Sequence, residues 1–158
     1  MSSTAKNVFV SHVHEDDKGL QKLKDLLAKN GMVIRDASIT SEKENQAKSP
    51  DYIKNKILGP RIDWAGVFIV YITPSTKQSE WVDWEIEYAH RQGKRIVGIW
   101  AYDDNECEIP AALEKYADVV VGWRGEGIVD AINGSNENWE KPDGTPRTLQ
   151  EIPRYSCK

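Results

Sequence analysis

The segment from Gly66 to Ala89, GVFIVYITPSTKQSEWVDWEIEYA, constrains the fold more than any other part of the chain. It begins with a continuous apolar and β-branched run over 67–72, the pattern of a strand that is buried on both faces. Pro74 ends this run because proline cannot donate to a sheet ladder. Ser79 suits the N-cap of a following helix. Three apolar residues then recur at helical spacing: Val82, Ile86 and Ala89.

Strand-like and helix-like segments alternate along the rest of the chain. The predicted strands are 7–11, 32–36, 67–72, 95–102 and 118–122. The predicted helices begin at Asp16 or Asp17, near Pro50, after Ser79 and at Gly127, and Gly31 and Gly93 end the first and third of them. Strands that alternate with helices through short links form a parallel sheet with helices on both faces. We therefore predict an α/β fold, a flavodoxin-like open parallel five-stranded sheet.

The predicted domain covers residues 1–133, and a chain of 158 residues is long enough to bury one core. The remaining segment, 134–158, is rich in Pro, Gly, Asn and Glu. We expect it to be an irregular C-terminal tail that has no core of its own. Trp139 and Tyr155 are the side chains suited to pin it to the domain or to a partner.

Composition argues against several classes of partner. The net charge is −4 and the lysines are spread along the chain without a basic stripe, so we expect no nucleic acid to bind. No run approaches the roughly 18 apolar residues that span a bilayer, and the N-terminus lacks a signal-peptide core. Cys107 and Cys157 do not make a disulfide framework. We therefore expect a cytoplasmic protein without membrane contact.

Trp81 and Glu85 are the candidate functional pair. They are four residues apart, so they share one face of the predicted helix. This places a carboxylate beside an indole beyond the carboxyl end of a buried strand, where open α/β sheets bind ligands. The alternatives are a solvated surface carboxylate for Glu85 and a core-edge aromatic for Trp81. Trp84 is expected on a different face, in a structural or interface role.

Several segments resemble those of TIR domains. NVFVSHVHEDD resembles the opening box of that superfamily, and YIKNKI, VFIVYIT and SEWVDWEIEYAHRQGKRIVGIW follow the rest of its pattern. The segment WVDWEIEYA is most similar to the corresponding segment of the bacterial TIR-like group of Thoeris anti-phage defence. The resemblance covers roughly residues 7 to 133 and departs from the common pattern at His12, where many members have an aromatic residue.

The resemblance implies that NAD is the substrate and that no further cofactor is needed. In catalytic TIR domains, the glutamate at the position of Glu85 is required to break the bond between nicotinamide and ribose. Such cleavage passes through an oxocarbenium-like state, which a carboxylate near the sugar stabilises. Trapping the ribosyl cation gives ADP-ribose, a cyclic isomer or a conjugate. The family also implies an effector activated by the diffusible nucleotide, and composite sites in a homo-oligomer or a phage-triggered assembly.

Residues at the ends of the first two strands complete the predicted substrate site. Phe9 is interpreted as a pocket wall and Ser11 as a hydroxyl donor to substrate, with core packing and helix entry as the alternatives. Asp36 and Ser38 either touch the ribose or cap the loop that follows the second strand.

His12 is expected to contact the nucleotide. His12 and His14 also form a His-x-His pair, but no further histidine or cysteine joins them except the distant His90, so we predict no metal. The chain has no glycine-rich phosphate loop of either common type. The pyrophosphate of NAD must therefore be held by another feature.

Two other functions remain open. One alternative is a non-catalytic TIR interaction module. The other is a nucleoside deoxyribosyltransferase-like enzyme, which has a related fold and also cleaves an N-glycosidic bond. Because a scaffold does not need the carboxylate, the presence of both Trp81 and Glu85 favours the enzyme. Identifying which base is released from NAD or from deoxynucleosides distinguishes these two functions from NAD processing.

Overall fold

The computed structural model describes residues 4–12, 17–36, 52–74, 76–101, 109–134 and 139–140. Within these ranges the chain forms the strands β1 (Thr4–Ser11), β2 (Met32–Asp36), β3 (Val67–Ile72), β4 (Arg95–Trp100) and β5 (Val119–Val121). The helices are α1 (Asp17–Lys29), α2 (Gly59–Trp64), α3 (Glu80–Arg91), α4 (Ala111–Tyr116) and α5 (Gly125–Asn133). A π-helical segment, Ile53–Leu58, runs directly into α2, and a 3₁₀ turn, Thr76–Gln78, precedes α3.

The sheet has the strand order β2-β1-β3-β4-β5, and every neighbouring pair is parallel. This is the flavodoxin-like order, so the predicted fold class is confirmed. β1 lies between β2 and β3, with Ser11 opposite Val70 at the carboxyl end of the β1–β3 pair. The chain reverses its direction of winding between β1 and β3, which makes that pair the switch point of the sheet.

Strand β3 separates the two halves of the core. Val67, Ile69 and Tyr71 face a cluster that α1 and α5 cover. Phe68, Val70 and Ile72 face a second cluster, which the π-helical segment, α2, α3 and α4 cover. All six residues of the strand are buried, as the apolar run predicts. The helix that carries Glu85 therefore packs on the second face of the sheet.

Two glycines end helices where the sequence predicts them. Gly31 has a φ of 83° after α1, and Gly93 has a φ of 73° after α3. Residues other than glycine rarely adopt this left-handed conformation, so each glycine lets the chain turn back into the next strand.

Some boundaries differ from the prediction. β1 begins at Thr4 rather than Asn7, and β4 ends at Trp100, whereas the predicted strand extended to Tyr102, outside the described residues. Helix α4 was not predicted, because its six residues are too few to show a helical period in the sequence. Its Leu113 is nevertheless fully buried in the second cluster. No helix among the described residues is long and apolar enough to cross a membrane.

Two residues beyond α5 attach to the edge of the sheet. Trp139 forms a parallel bridge with Val120 of β5, and the Glu140 amide donates to the Val120 carbonyl at 2.7 Å. The Glu140 carbonyl accepts from the Trp100 indole at 2.7 Å, and its carboxylate accepts from the Gly122 amide at 2.9 Å. Residues 139–140 therefore cover the exposed edge of β5, which would otherwise be available for pairing with another strand.

Candidate active site

The connection from β3 to α3 is built by buried threonine hydroxyls. The Thr76 hydroxyl accepts from the Thr73 amide at 2.9 Å and donates to the Tyr71 carbonyl at 3.2 Å. Thr76 has no exposed surface, and Thr73 is 7% exposed. Because one hydroxyl satisfies a backbone donor and a backbone acceptor, it fixes the direction in which the chain leaves the sheet.

Helix α3 begins at a side-chain cap. Ser79 has an extended conformation, and its hydroxyl accepts from the Val82 amide at 3.2 Å, which confirms the predicted N-cap. Glu80 lies in the first turn, where negative charge interacts favourably with the helix dipole. The cap sets the start of the helix and, with it, the position of Glu85 in the second turn.

Glu85 is fully buried and bound to the end of β1. The Ser11 hydroxyl donates to Glu85 Oε1 at 2.6 Å, and neither residue has any exposed surface. The distance is short, as expected for a hydroxyl donating to a carboxylate. The structure thus brings together two predicted site residues that lie 74 positions apart in the sequence.

This contact lies at the switch point of the sheet. Ser11 is the last residue of β1, and α3 follows β3, the neighbour of β1 on the side opposite β2. Ligands of open α/β sheets bind outside the carboxyl ends of the strands at this point. The Glu85 carboxylate therefore lies where open α/β sheets bind ligands, and its catalytic role remains a prediction.

His12 and Asp36 meet the same end of β1 through its backbone. Asp36 Oδ1 accepts from the Val10 amide at 2.9 Å, and His12 Nδ1 lies 2.8 Å from the Val10 carbonyl. Since a carbonyl only accepts, Nδ1 carries the proton in this contact. His12 is 3% exposed. Both side chains have a structural role here, and their contact with a nucleotide remains a prediction.

Phe9 is a core residue in this structure. It has no exposed surface, and its ring stacks on that of Phe68 with centroids 5.6 Å apart and planes inclined by 9°. It lies in the second cluster, two residues before Ser11 on the same strand. Phe9 and Ser11 are two residues apart on β1 and so lie on the same face of the sheet. The contact of Phe9 with substrate remains a prediction.

Trp81 and Trp84 lie together rather than on different faces. Both pack against the second cluster, and Lys54 Nζ lies 5.7 Å from the Trp81 ring centroid and 5.6 Å from that of Trp84. The prediction that Trp84 faces away from Trp81 is therefore wrong, because residues three apart are neighbours on a helix. Trp84 also stacks on Tyr88 at 5.2 Å.

The remaining predicted residues are placed as follows. Ser38 and His14 lie outside the described residues. Among the residues that are described, no group of three or more His, Cys, Asp or Glu side chains is arranged to hold a metal ion.

Sequence reasoning missed two contributors to this region. The paired hydroxyls of Thr73 and Thr76 had a signal in the sequence, namely polar β-branched residues on both sides of a strand-ending proline. Lys54 had none, because its position over Trp81 and Trp84 depends on how the π-helical segment packs on α3.

Comparison with known proteins bears on this site. The family model described as Thoeris protein ThsB, TIR-like domain, matches residues 9–106, a range that includes Ser11, Lys54, Trp81 and Glu85.

Two solved structures match this chain at low identity. The CMP N-glycosidase BcmB of Clostridium botulinum is 22% identical with a TM-score of 0.44, over 73% of this chain and 85% of that one. The 2-desoxiribosyltransferase from Leishmania mexicana is 18% identical with a TM-score of 0.44, over 72% of this chain and 73% of that one.

Proposed function

The chain belongs to the family of the TIR-like domain of the Thoeris protein ThsB, and we propose that it is an NAD-processing enzyme of anti-phage defence. The proposed reaction cleaves the bond between nicotinamide and ribose. Its product is an ADP-ribose-derived nucleotide, cyclic in the form that we favour, which activates a partner effector.

The observation that carries this proposal is the fully buried Glu85 carboxylate, held by Ser11 at the switch point. Burying a carboxylate costs free energy even when it is hydrogen-bonded. Folded proteins keep such an unfavourable buried charge mainly at functional sites. A carboxylate in water-excluded surroundings also stabilises positive charge more strongly than one in solvent.

The chemistry needs one carboxylate and a good leaving group. As the C–N bond breaks, its electron pair leaves with nicotinamide, which departs as a neutral base and needs no acid. The ribose then carries the positive charge, which Glu85 stabilises. Attack by water, with loss of its proton, gives ADP-ribose, whereas attack by the adenine ring of the same molecule gives a cyclic isomer.

The enclosure of Glu85 has a consequence for activation. Because Glu85 has no exposed surface in this structure, NAD does not reach it without a rearrangement. We therefore propose that turnover belongs to an activated form, reached through a homo-oligomer or a phage-triggered assembly. An enzyme held inactive in this way avoids consuming the NAD of an uninfected cell.

Incubation with NAD in parallel with a set of deoxynucleosides tests the proposal. Release of nicotinamide, with an ADP-ribose derivative identified by mass spectrometry, is the expected result. Release of a nucleobase from the deoxynucleosides alone would favour the deoxyribosyltransferase-like alternative. No release of any base by the activated assembly would favour the interaction module.

A further inference from the structure

Lys54 lies over two indole rings in the first half of the helix that carries Glu85. Its Nζ lies 5.7 Å from the Trp81 ring centroid and 5.6 Å from that of Trp84. An ammonium group over an aromatic face is attracted by the negative charge of that face. The two rings therefore fix the position of a cation that would otherwise move freely on its four-carbon stem.

The charge of Lys54 is not neutralised by this arrangement. In the part of the chain that the structure describes, no carboxylate lies within ion-pair distance of Lys54. This holds also for Glu80 and Asp83, the acidic residues in the first turn of α3. Lys54 is also only partly buried. A positioned and uncompensated cation is suited to bind an anion.

Other cations near the sheet are already used by the fold. Lys77 donates to the Ile109 carbonyl at 3.4 Å, and Lys94 donates to the Asp63 carbonyl at 2.8 Å. Arg95 starts β4 at the amino end of that strand, whereas Glu85 lies near the carboxyl ends of β1 and β3. Arg95 also donates to a backbone carbonyl. In contrast to these three cations, Lys54 lies beside Trp81 and donates to no backbone carbonyl in the described part of the chain.

We propose that Lys54 binds the pyrophosphate of the dinucleotide substrate, an inference that rests on the proposed function. Trp81 precedes Glu85 by four residues, about 6 Å along the helix axis. A single ribose separates the bond that Glu85 is proposed to break from the nearest phosphate of NAD. Lys54 thus supplies the phosphate contact that a glycine-rich loop supplies in other dinucleotide-binding proteins, and that motif is absent from this sequence.

The test compares Lys54→Met with Lys56→Met, a matched loss of charge at an exposed position in the same π-helical segment. In the activated assembly, Lys54→Met is expected to raise the KM for NAD by about tenfold or more with kcat within about twofold, because the contact is the same in ground and transition states. Lys56→Met is expected to match the wild type. Lys54→Arg keeps the charge and is expected to restore most of the affinity.

Binding of ADP-ribose separates this inference from the proposed function. Calorimetry on the activated assembly is expected to show weaker binding, with a smaller dependence on salt, for Lys54→Met than for the wild type and Lys56→Met. If the wild type binds ADP-ribose through Lys54 but releases no nicotinamide from NAD, the proposed function fails and the phosphate site stands. Equal KM and equal ADP-ribose affinity for both methionine variants, or no ADP-ribose binding by the wild type, would overturn the assignment of Lys54.

Discussion

The Ser11 hydroxyl and the Glu85 carboxylate form a 2.6 Å hydrogen bond that joins the end of β1 to the second turn of α3. Both residues are fully buried, so water does not replace the donor when it is removed. The bond therefore fixes the orientation of the carboxylate as well as its burial. This relationship assigns Ser11 a role as a positioning residue, in addition to the direct substrate contact that the sequence suggests.

We expect Ser11→Ala to lower both stability and turnover. Loss of the donor leaves a buried oxygen of Glu85 without this partner, which costs about 1–3 kcal/mol of unfolding free energy. We expect kcat to fall by about tenfold, because the carboxylate loses its orientation. Urea unfolding and nicotinamide release measure the two effects. In combination with Glu85→Gln, the serine change should have little further effect on turnover, and full additivity of the two losses would contradict a shared role.

The fold was predictable from the sequence because its central strand is unambiguous. An apolar run such as 67–72 has few alternatives to a buried parallel strand, and the glycines that end α1 and α3 act through backbone conformation alone. The short helix α4 was not predictable on the same grounds, since it is held by burial of Leu113 rather than by a repeating pattern.

The site was predictable only in part. The spacing of Trp81 and Glu85 is a local property of a helix, and the sequence carries it. The partner of Glu85 is a long-range property, because Ser11 reaches it only after β1 and β3 pair. The position of Lys54 is also a long-range property, since it depends on packing between two helical segments.

Asp83 provides a prediction for the pH dependence of stability. In the described part of the chain its Oδ1 is buried without a hydrogen-bond partner. Burial raises the pKa of the Asp83 carboxyl above its usual 3.8, Glu87 and Glu80 raise it further, and Lys77 opposes them. A carboxyl with a raised pKa in the folded state stabilises the fold below its unfolded pKa, and that contribution is lost as the pH rises through the folded value.

Asp83→Asn should therefore increase the unfolding free energy at pH 7. The gain should shrink as the pH falls and disappear below the unfolded value of about 3.8. Urea unfolding at a series of pH values measures it, with Asp130→Asn as the control at an exposed position of α5. A loss of stability at pH 7, or a gain that grows in acid, would contradict this account.

Glu140 lies outside residues 9–106, the range of the family match, and should nevertheless stabilise the fold. Glu140→Ala removes the acceptor of the buried Gly122 amide and the 3.1 Å ion pair with Arg124. We expect a cost of about 1–3 kcal/mol of unfolding free energy. Glu140→Gln keeps an acceptor for Gly122 and should cost less, since the Arg124 side chain is 58% exposed and its ion pair is screened by solvent.

Urea unfolding of both Glu140 variants distinguishes these contributions. If Glu140→Ala unfolds at the same urea concentration as the wild type, the Glu140 side chain adds nothing to the stability of the sheet edge. If Glu140→Gln costs as much as Glu140→Ala, the ion pair rather than the Gly122 hydrogen bond is the dominant contact.

The central claim is that the buried Glu85 carboxylate breaks the bond between nicotinamide and ribose, and nicotinamide release by Glu85→Gln tests it most directly. Glutamine keeps the size of the side chain and an oxygen that accepts from Ser11, so thermal melting should change little. Loss of the charge should reduce nicotinamide release by about a hundredfold or more. Glu87→Gln, an exposed change two residues along the same helix, should retain wild-type release. Release at the wild-type rate by folded Glu85→Gln would contradict the account.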